Sequence, residues 1–539
     1  MKTGKTVKVL LTAATAAGML AGCGSKTDTD TFRFASELDI QGMDSTVVDD
    51  GMSFNAIHAI TDGLTAVNEK GKTAPAIAKS WDVSDDGKTY TFHLRDAKWT
   101  NGDKVTANDF VYSWRKIIKD AGNYAYMLGS GGASVKNADA LMELGANATD
   151  EQMATLGVTA KDDKTLVVEL ENKVPYFTDL MAFPCYFPQN EKFVEKCGKN
   201  YGTKPEYTLS NGAYTMTKWI KGNKATFTKN DKYYDAKAVK TKNLEMFLVQ
   251  DPKTAAQNFD NGKVDYATIN STLVDKYKDK DTFTTFNEGY LFYLQLNFKN
   301  DTVANKNVRE ALAYAINRKD LCENVLKDGS KAATGFVPSQ LSTSPAGKDF
   351  RDDADKYVSY DQKKAQEYLD AAKKELGTDT ITVDLLYGTD ESPMDTMAEY
   401  LQGSFTKLKG LKVNMVATVK KDRIYNREAN GNFQVVCTRW GPDYADPTTY
   451  LNLATSDNSN NYGKYTSAKY DALMEQIQKE SDLTKRWDLM IQAEKIIMDD
   501  LAYVPVFEKG SAALKAKNVK GLVVVPVGTP YTFKYVKLK

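Results

Sequence analysis

Histidine is almost missing from this chain: His58 and His93 are the two among 539 residues. That scarcity narrows both acid–base and metal chemistry, which lean on imidazole. His93 falls on the outward phase of a strand whose inward phase is Tyr90, Phe92 and Leu94, so it reads as a solvated surface residue. His58 lies beside the apolar face of a helix and reads as structural. The Gly-x-Ser-x-Gly elbow, the P-loop, paired-cysteine zinc spacing and the His-Glu-x-x-His helix are all absent, so the usual hydrolase, nucleotide and zinc signatures fail. The carboxylate pairs Asp85-Asp86 and Asp499-Asp500 have the groups a glycosidase uses, but read more simply as a turn and a charged helix end. No catalytic residue, metal or cofactor is predicted. An excess of positive charge is also lacking, since Lys+Arg and Asp+Glu both number 71. Nucleic acid is therefore not an expected partner.

Cysteine is sparse, with five in all. Cys185, Cys197, Cys322 and Cys437 are scattered rather than regularly spaced, which speaks for buried thiols over a disulfide framework; a Cys185–Cys197 bridge is the one alternative. The fifth, Cys23, has a different setting. Residues 1–22 open with Lys2, Lys5 and Lys8, continue in an apolar and small-residue run from Val9 to Ala21, and end in Leu20-Ala21-Gly22-Cys23. The run is too short to span a bilayer and has the layout of a secretory signal. Its end resembles the lipobox of bacterial lipoproteins, which implies diacylglycerol on Cys23. Residues 23–30 are small and polar and read as a tether.

What remains is a long chain of ordinary globular composition, 42% hydrophobic and 26% charged, which predicts two or three domains. Helical spacing of Phe54, Ile57 and Ile60 gives a first helix. Ser84-Asp85-Asp86-Gly87 predicts a turn before the strand Tyr90–Leu94, and a helix over Phe110–Lys119 follows with Thr106 or Asn108 as its N-cap. Further strands are expected at Thr165–Leu170, Tyr214–Trp219, Leu244–Val249 and Leu522–Val527, with helices at Val308–Ile316, Tyr470–Lys479 and Lys485–Leu501. The fold class is mixed α/β, without internal repeats.

The block Pro75–Trp114 (PAIAKSWDVSDDGKTYTFHLRDAKWTNGDKVTANDFVYSW) resembles the signature region of the oligopeptide- and dipeptide-binding proteins of ABC importers. The likeness continues in Ser210-Asn211-Gly212-Ala213-Tyr214, in Val308-Arg309-Glu310-Ala311-Leu312, and in Trp440-Gly441-Pro442-Asp443-Tyr444-Ala445-Asp446-Pro447. It implies a three-domain, periplasmic-binding-protein-like fold whose two lobes close on a peptide about a hinge. By analogy, domain I comprises residues 31–62, 185–265 and 505–539, domain II residues 63–184 and domain III residues 266–504, with the hinge near 265 and 505.

The resemblance also implies residue roles. Asp443, the aspartate of Trp-x-x-Asp-Tyr, would pair with the ligand α-ammonium; its simpler role is to turn the Gly-Pro-Asp-Tyr loop. Trp440 and Gly441 would line a side-chain pocket. Asp50, Gly51, Met52 and Ser53, and Asn211 with Gly212, match backbone-contacting segments, and Tyr124 would stack on ligand. Arg427 and Arg439 are candidates for the ligand carboxylate, and Asp446 is expected to be structural. The implied protein is a monomeric extracytoplasmic lipoprotein on the outer face of the cell membrane, without enzymatic activity, feeding peptides to an ABC permease and its ATPase. The alternatives are a receptor for one signalling peptide, a binder of nickel, haem or sugar on the same fold, and a surface hydrolase or adhesin.

Overall fold

The computed structural model describes residues 29–539; the signal, Cys23 and most of the tether lie outside the described residues. Its spine is an eleven-stranded mixed sheet. One end carries Thr31–Ser36 between Asn243–Leu248 and Tyr266–Ile269, and the other carries Ile381–Gly388 between Leu411–Thr418 and Val435–Trp440. Two long strands, Phe283–Leu296 and Tyr503–Lys515, join the ends by pairing antiparallel from Phe283↔Leu514 to Gln295↔Tyr503. Their register breaks between Asn287 and Leu291. Gly289 sits in that break at φ +82°, where any Cβ would strike the Pro526 carbonyl oxygen, so only glycine is free of strain there.

Three large apolar cores hang on this spine, with smaller clusters beside them. The first packs Phe32, Phe34 and Ile57 with Met246, Tyr266 and Phe533. The second, from Leu64 to Tyr186, covers a separate four-stranded sheet, Ala78–Val83, Thr89–Leu94, Thr165–Glu169 and Val158–Asp162, with the helix Ala107–Lys119. The third runs from Leu291 to Phe507. The second core also draws in Leu209 and Tyr444, from outside residues 63–184. The expected boundary at 265 needs correcting: Tyr266–Ile269 pairs with Thr31–Ser36, and the helix Ser271–Tyr277 packs Val274 and Tyr277 against Ala512 and Leu514. These elements pack with residues 512–514 of the expected domain I, and the third core begins only at Leu291, beyond the register break.

Local readings fare according to the chemistry at their ends. The helix Ala107–Lys119 begins three residues before Phe110 because the Asp109 carboxylate accepts the Thr106 backbone N–H at 2.8 Å, closing the first turn. The expected strand Leu522–Val527 shrinks to Val523–Val524, since Pro526 and Gly528 (φ +75°) cannot continue a ladder. Tyr90, Phe92 and Leu94 are buried, whereas His93 faces out and meets Asp82 at 2.7 Å. Cys185, Cys197, Cys322 and Cys437 are all free, so the Cys185–Cys197 bridge does not form.

Candidate peptide-binding cleft

The loop after strand Val435–Trp440 carries the most conspicuous chemistry. It rests on buried charge. The Arg423 guanidinium is clamped by Glu391 (Nη2 to Oε2, 2.8 Å), by Glu428 and by the Thr438 hydroxyl at 2.9 Å. Farther along, Arg486 forks onto Asp446 at 2.6 and 3.0 Å, and Thr448 donates to the same carboxylate through its backbone N–H and its hydroxyl. Burial pushes the Asp446 carboxyl up, but Arg486 and the Thr448 hydrogen bonds together more than offset this and hold it below the usual range. Asp446 is thus structural, as expected.

Among the described residues no such cation pairs with Asp443, three residues earlier. Its backbone N–H donates to Thr449 Oγ1 at 3.1 Å, while its carboxylate accepts one hydrogen bond, from the Tyr126 hydroxyl of the second lobe at 3.3 Å. Burial pushes its carboxyl up to about 6, against a smaller downward pull from Tyr126. An anion desolvated in this way favours any cation that can reach it.

Asp443 lines a cavity of about 560 Å³, within the size range of ligand pockets. Residues from all three expected domains line it: Leu180 and Phe183 from the second, Gln340 to Thr343 and Tyr444 from the third, and His58 with Val525 to Thr529 from the first. His58 is 8% exposed, and burial lowers its pKa, so it presents a neutral ring. Tyr124 stands nearby in an aromatic group, its ring 5.1 Å from Phe54, 5.3 Å from Phe183 and 5.8 Å from Tyr126.

The other expected site residues have identifiable contacts of their own. Trp440, half-buried at the strand end opposite Leu291, keeps its indole N–H buried and without a partner. Gly441 faces the Tyr290 ring, where a Cβ would come within 2.4 Å. Arg439 lies over Tyr290 (4.7 Å) and 3.6 Å from Glu391. Arg427 pairs with Asp422 at 2.8 Å and lines a different, smaller cavity with Asp384 and Phe433. Asp50 caps the helix Gly51–Ile60 by accepting the Ser53 N–H, Met52 is buried, and Ser53 Oγ accepts from Gln41 and Gly42. Asn211 is buried, accepting the Asp62 N–H at 2.7 Å, and Gly212 donates to the Ile60 carbonyl at 2.8 Å. These last two residues brace the end of that helix behind the cavity wall. The sequence reading missed Tyr126, although it lies two residues from Tyr124, and it missed the segment Val525–Thr529.

Comparison with known proteins places this geometry. Residues 72–462 match the model of the bacterial extracellular solute-binding proteins, family 5. The dipeptide-binding protein of Lactococcus lactis is 34% identical over the full length of both chains. Two solved structures are each 34% identical and cover 95% of this chain and 99% of theirs. They are the substrate-binding domain of an oligopeptide ABC transporter from Bacillus anthracis (TM-score 0.77) and peptide-bound OppA of Listeria monocytogenes (TM-score 0.76). With a family match across most of the sequence and a relative 34% identical over the full length of both chains, the chain belongs to the family 5 extracellular solute-binding proteins.

Proposed function

We propose that this protein captures di- to oligopeptides outside the cytoplasm and presents them to an ABC transporter, without chemical turnover. The observation that carries the reading is Asp443: a carboxylate desolvated between lobes and, among the described residues, lacking a cation, as the α-ammonium of a peptide requires. Three residues earlier in the chain, Trp440 keeps a buried, unpartnered indole N–H, a donor of the kind a peptide carbonyl satisfies. Roomy cavity walls accept varied side chains, as capture of mixed peptides demands.

Anchoring through Cys23 fits this role, since a tethered binder stays at high effective concentration near its permease. Mass spectrometry of ligand retained on natively purified protein tests the reading: copurifying peptides with free amino termini support it, while a retained non-peptide solute, or free-amine and N-acetylated peptides binding alike, defeats it. Cys23→Ala should release the protein into the medium, and continued membrane association would remove the anchor from the proposal.

A further inference from the structure

The cavity holding Asp443 contains a second half-buried carboxylate. Asp179 lies on the helical turn Phe177–Leu180, which is pinned to the hairpin Thr65–Val67/Thr73–Pro75 by the Thr65 hydroxyl donating to the Thr178 carbonyl at 2.7 Å. Thr73, on the same cavity wall, pulls the Asp179 carboxyl down against the larger effect of burial. Among the described residues no cation acts on it: burial raises its pKa, Thr73 lowers it, and Asp446, already neutralised by Arg486, raises it further.

The other charged or titratable groups on the cavity wall do not alter this. Lys70 and Lys72 stand exposed at the hairpin tip, where water and salt screen them. His58 is neutral. A third feature points the same way: Thr529, 5% exposed, lines this cavity with its hydroxyl unpartnered. A ligand bearing only an α-ammonium would satisfy Asp443 and leave Asp179 desolvated and without a counter-charge, whereas a ligand with a second cation close by would neutralise both.

From this arrangement we infer that Asp179 forms a subsite for a basic side chain, lysine or arginine, at the first or second residue of the bound peptide. The inference rests on the proposed capture of the α-ammonium by Asp443, which fixes the amino-terminal end of the ligand in the same cavity. Asp179 then sets a preference within the peptide class.

Calorimetry with Lys-Ala-Ala, Ala-Lys-Ala, Ala-Ala-Ala and Glu-Ala-Ala tests it at neutral pH and fixed salt. The better of the two lysine peptides should bind about tenfold tighter than Ala-Ala-Ala, equivalent to about 1.4 kcal/mol, and Glu-Ala-Ala should be weakest. In Asp179→Asn the ratio between the lysine peptide and Ala-Ala-Ala should shrink to within about twofold, and Asp179→Lys should place Glu-Ala-Ala first. Should either variant fail to fold, the wild-type ranking decides alone. Equal binding of all four peptides by the wild type, or a lysine advantage that survives in Asp179→Asn, overturns the subsite while leaving peptide capture intact. Binding of none of them overturns both.

Discussion

The rings of Tyr176 and Tyr444 stack face to face, centroids 4.1 Å apart and planes within 2°. Tyr176 belongs to the second lobe and Tyr444 to the third, and Tyr444 is buried within the second lobe's core. It directly follows Asp443, so the carboxylate proposed to hold the ligand and the ring that holds the lobes together sit on adjacent residues.

Such a stack contributes roughly 0.5–1.5 kcal/mol beyond its buried area. Tyr176→Ala should therefore open the unliganded protein and weaken every peptide by about three- to tenfold, without changing their ranking. Small-angle scattering reads the first effect through a larger radius of gyration, and titration reads the second. Unchanged scattering and affinity would show that the stack does not govern closure.

Asp443→Asn separates binding from stability. Removing the anion should weaken free-amine peptides by at least tenfold, about 1.4 kcal/mol. The same change removes a carboxylate whose ionised form is disfavoured by burial, so Tm of the unliganded protein at pH 7 should rise. A variant that loses both affinity and Tm would mean that Asp443 serves the loop rather than the ligand.

The pH dependence has a definite sign. The Asp443 carboxyl of the empty protein is raised to about 6, and an ammonium ligand needs it ionised. Affinity should be full above about pH 7 and fall as the pH drops through 6, because protonated protein must first release that proton; by pH 5 the loss should approach about tenfold. The ligand ammonium stays charged over this range, so an affinity flat from pH 7.5 to 5 would remove Asp443 from ligand contact.

Local chemistry was legible in the sequence and long-range geometry was not. The inward phase of Tyr90, Phe92 and Leu94 and the turn at Gly87 (φ +70°) follow from alternation and from glycine's conformational freedom. The loop motif around Asp443 stood out by its resemblance. The register break near Asn287–Leu291 did not, because Phe283–Leu296 is one uninterrupted strand and the break is marked by a single glycine. Tyr176 likewise looks like any aromatic until folding sets it against Tyr444, far away in the chain. Asp179 and Asp443 share a cavity for the same reason, through tertiary structure that no local pattern announces.

The ion pair Asp446–Arg486 offers the sharpest stability test. Both side chains are buried, and the pair closes through two hydrogen bonds at 2.6 and 3.0 Å. Asp446→Ala would leave the Arg486 guanidinium buried and unpaired, which should cost about 3–5 kcal/mol. Replacing both residues together with apolar side chains of similar volume should recover much of that loss, because no lone charge then remains. The pKa shift is opposite in direction to that of Asp443. Arg486 and the Thr448 hydrogen bonds hold the Asp446 carboxyl below its ordinary value, so this contribution is present above the unfolded-state value of about 3.9 and fades only as pH falls below it. Chemical denaturation of the single and double variants at pH 7, and of the wild type between pH 6 and 3, measures both effects. A mild single variant, or wild-type stability already declining at pH 6 because of this pair, would mean that the loop carrying Asp443 is held by something other than Arg486.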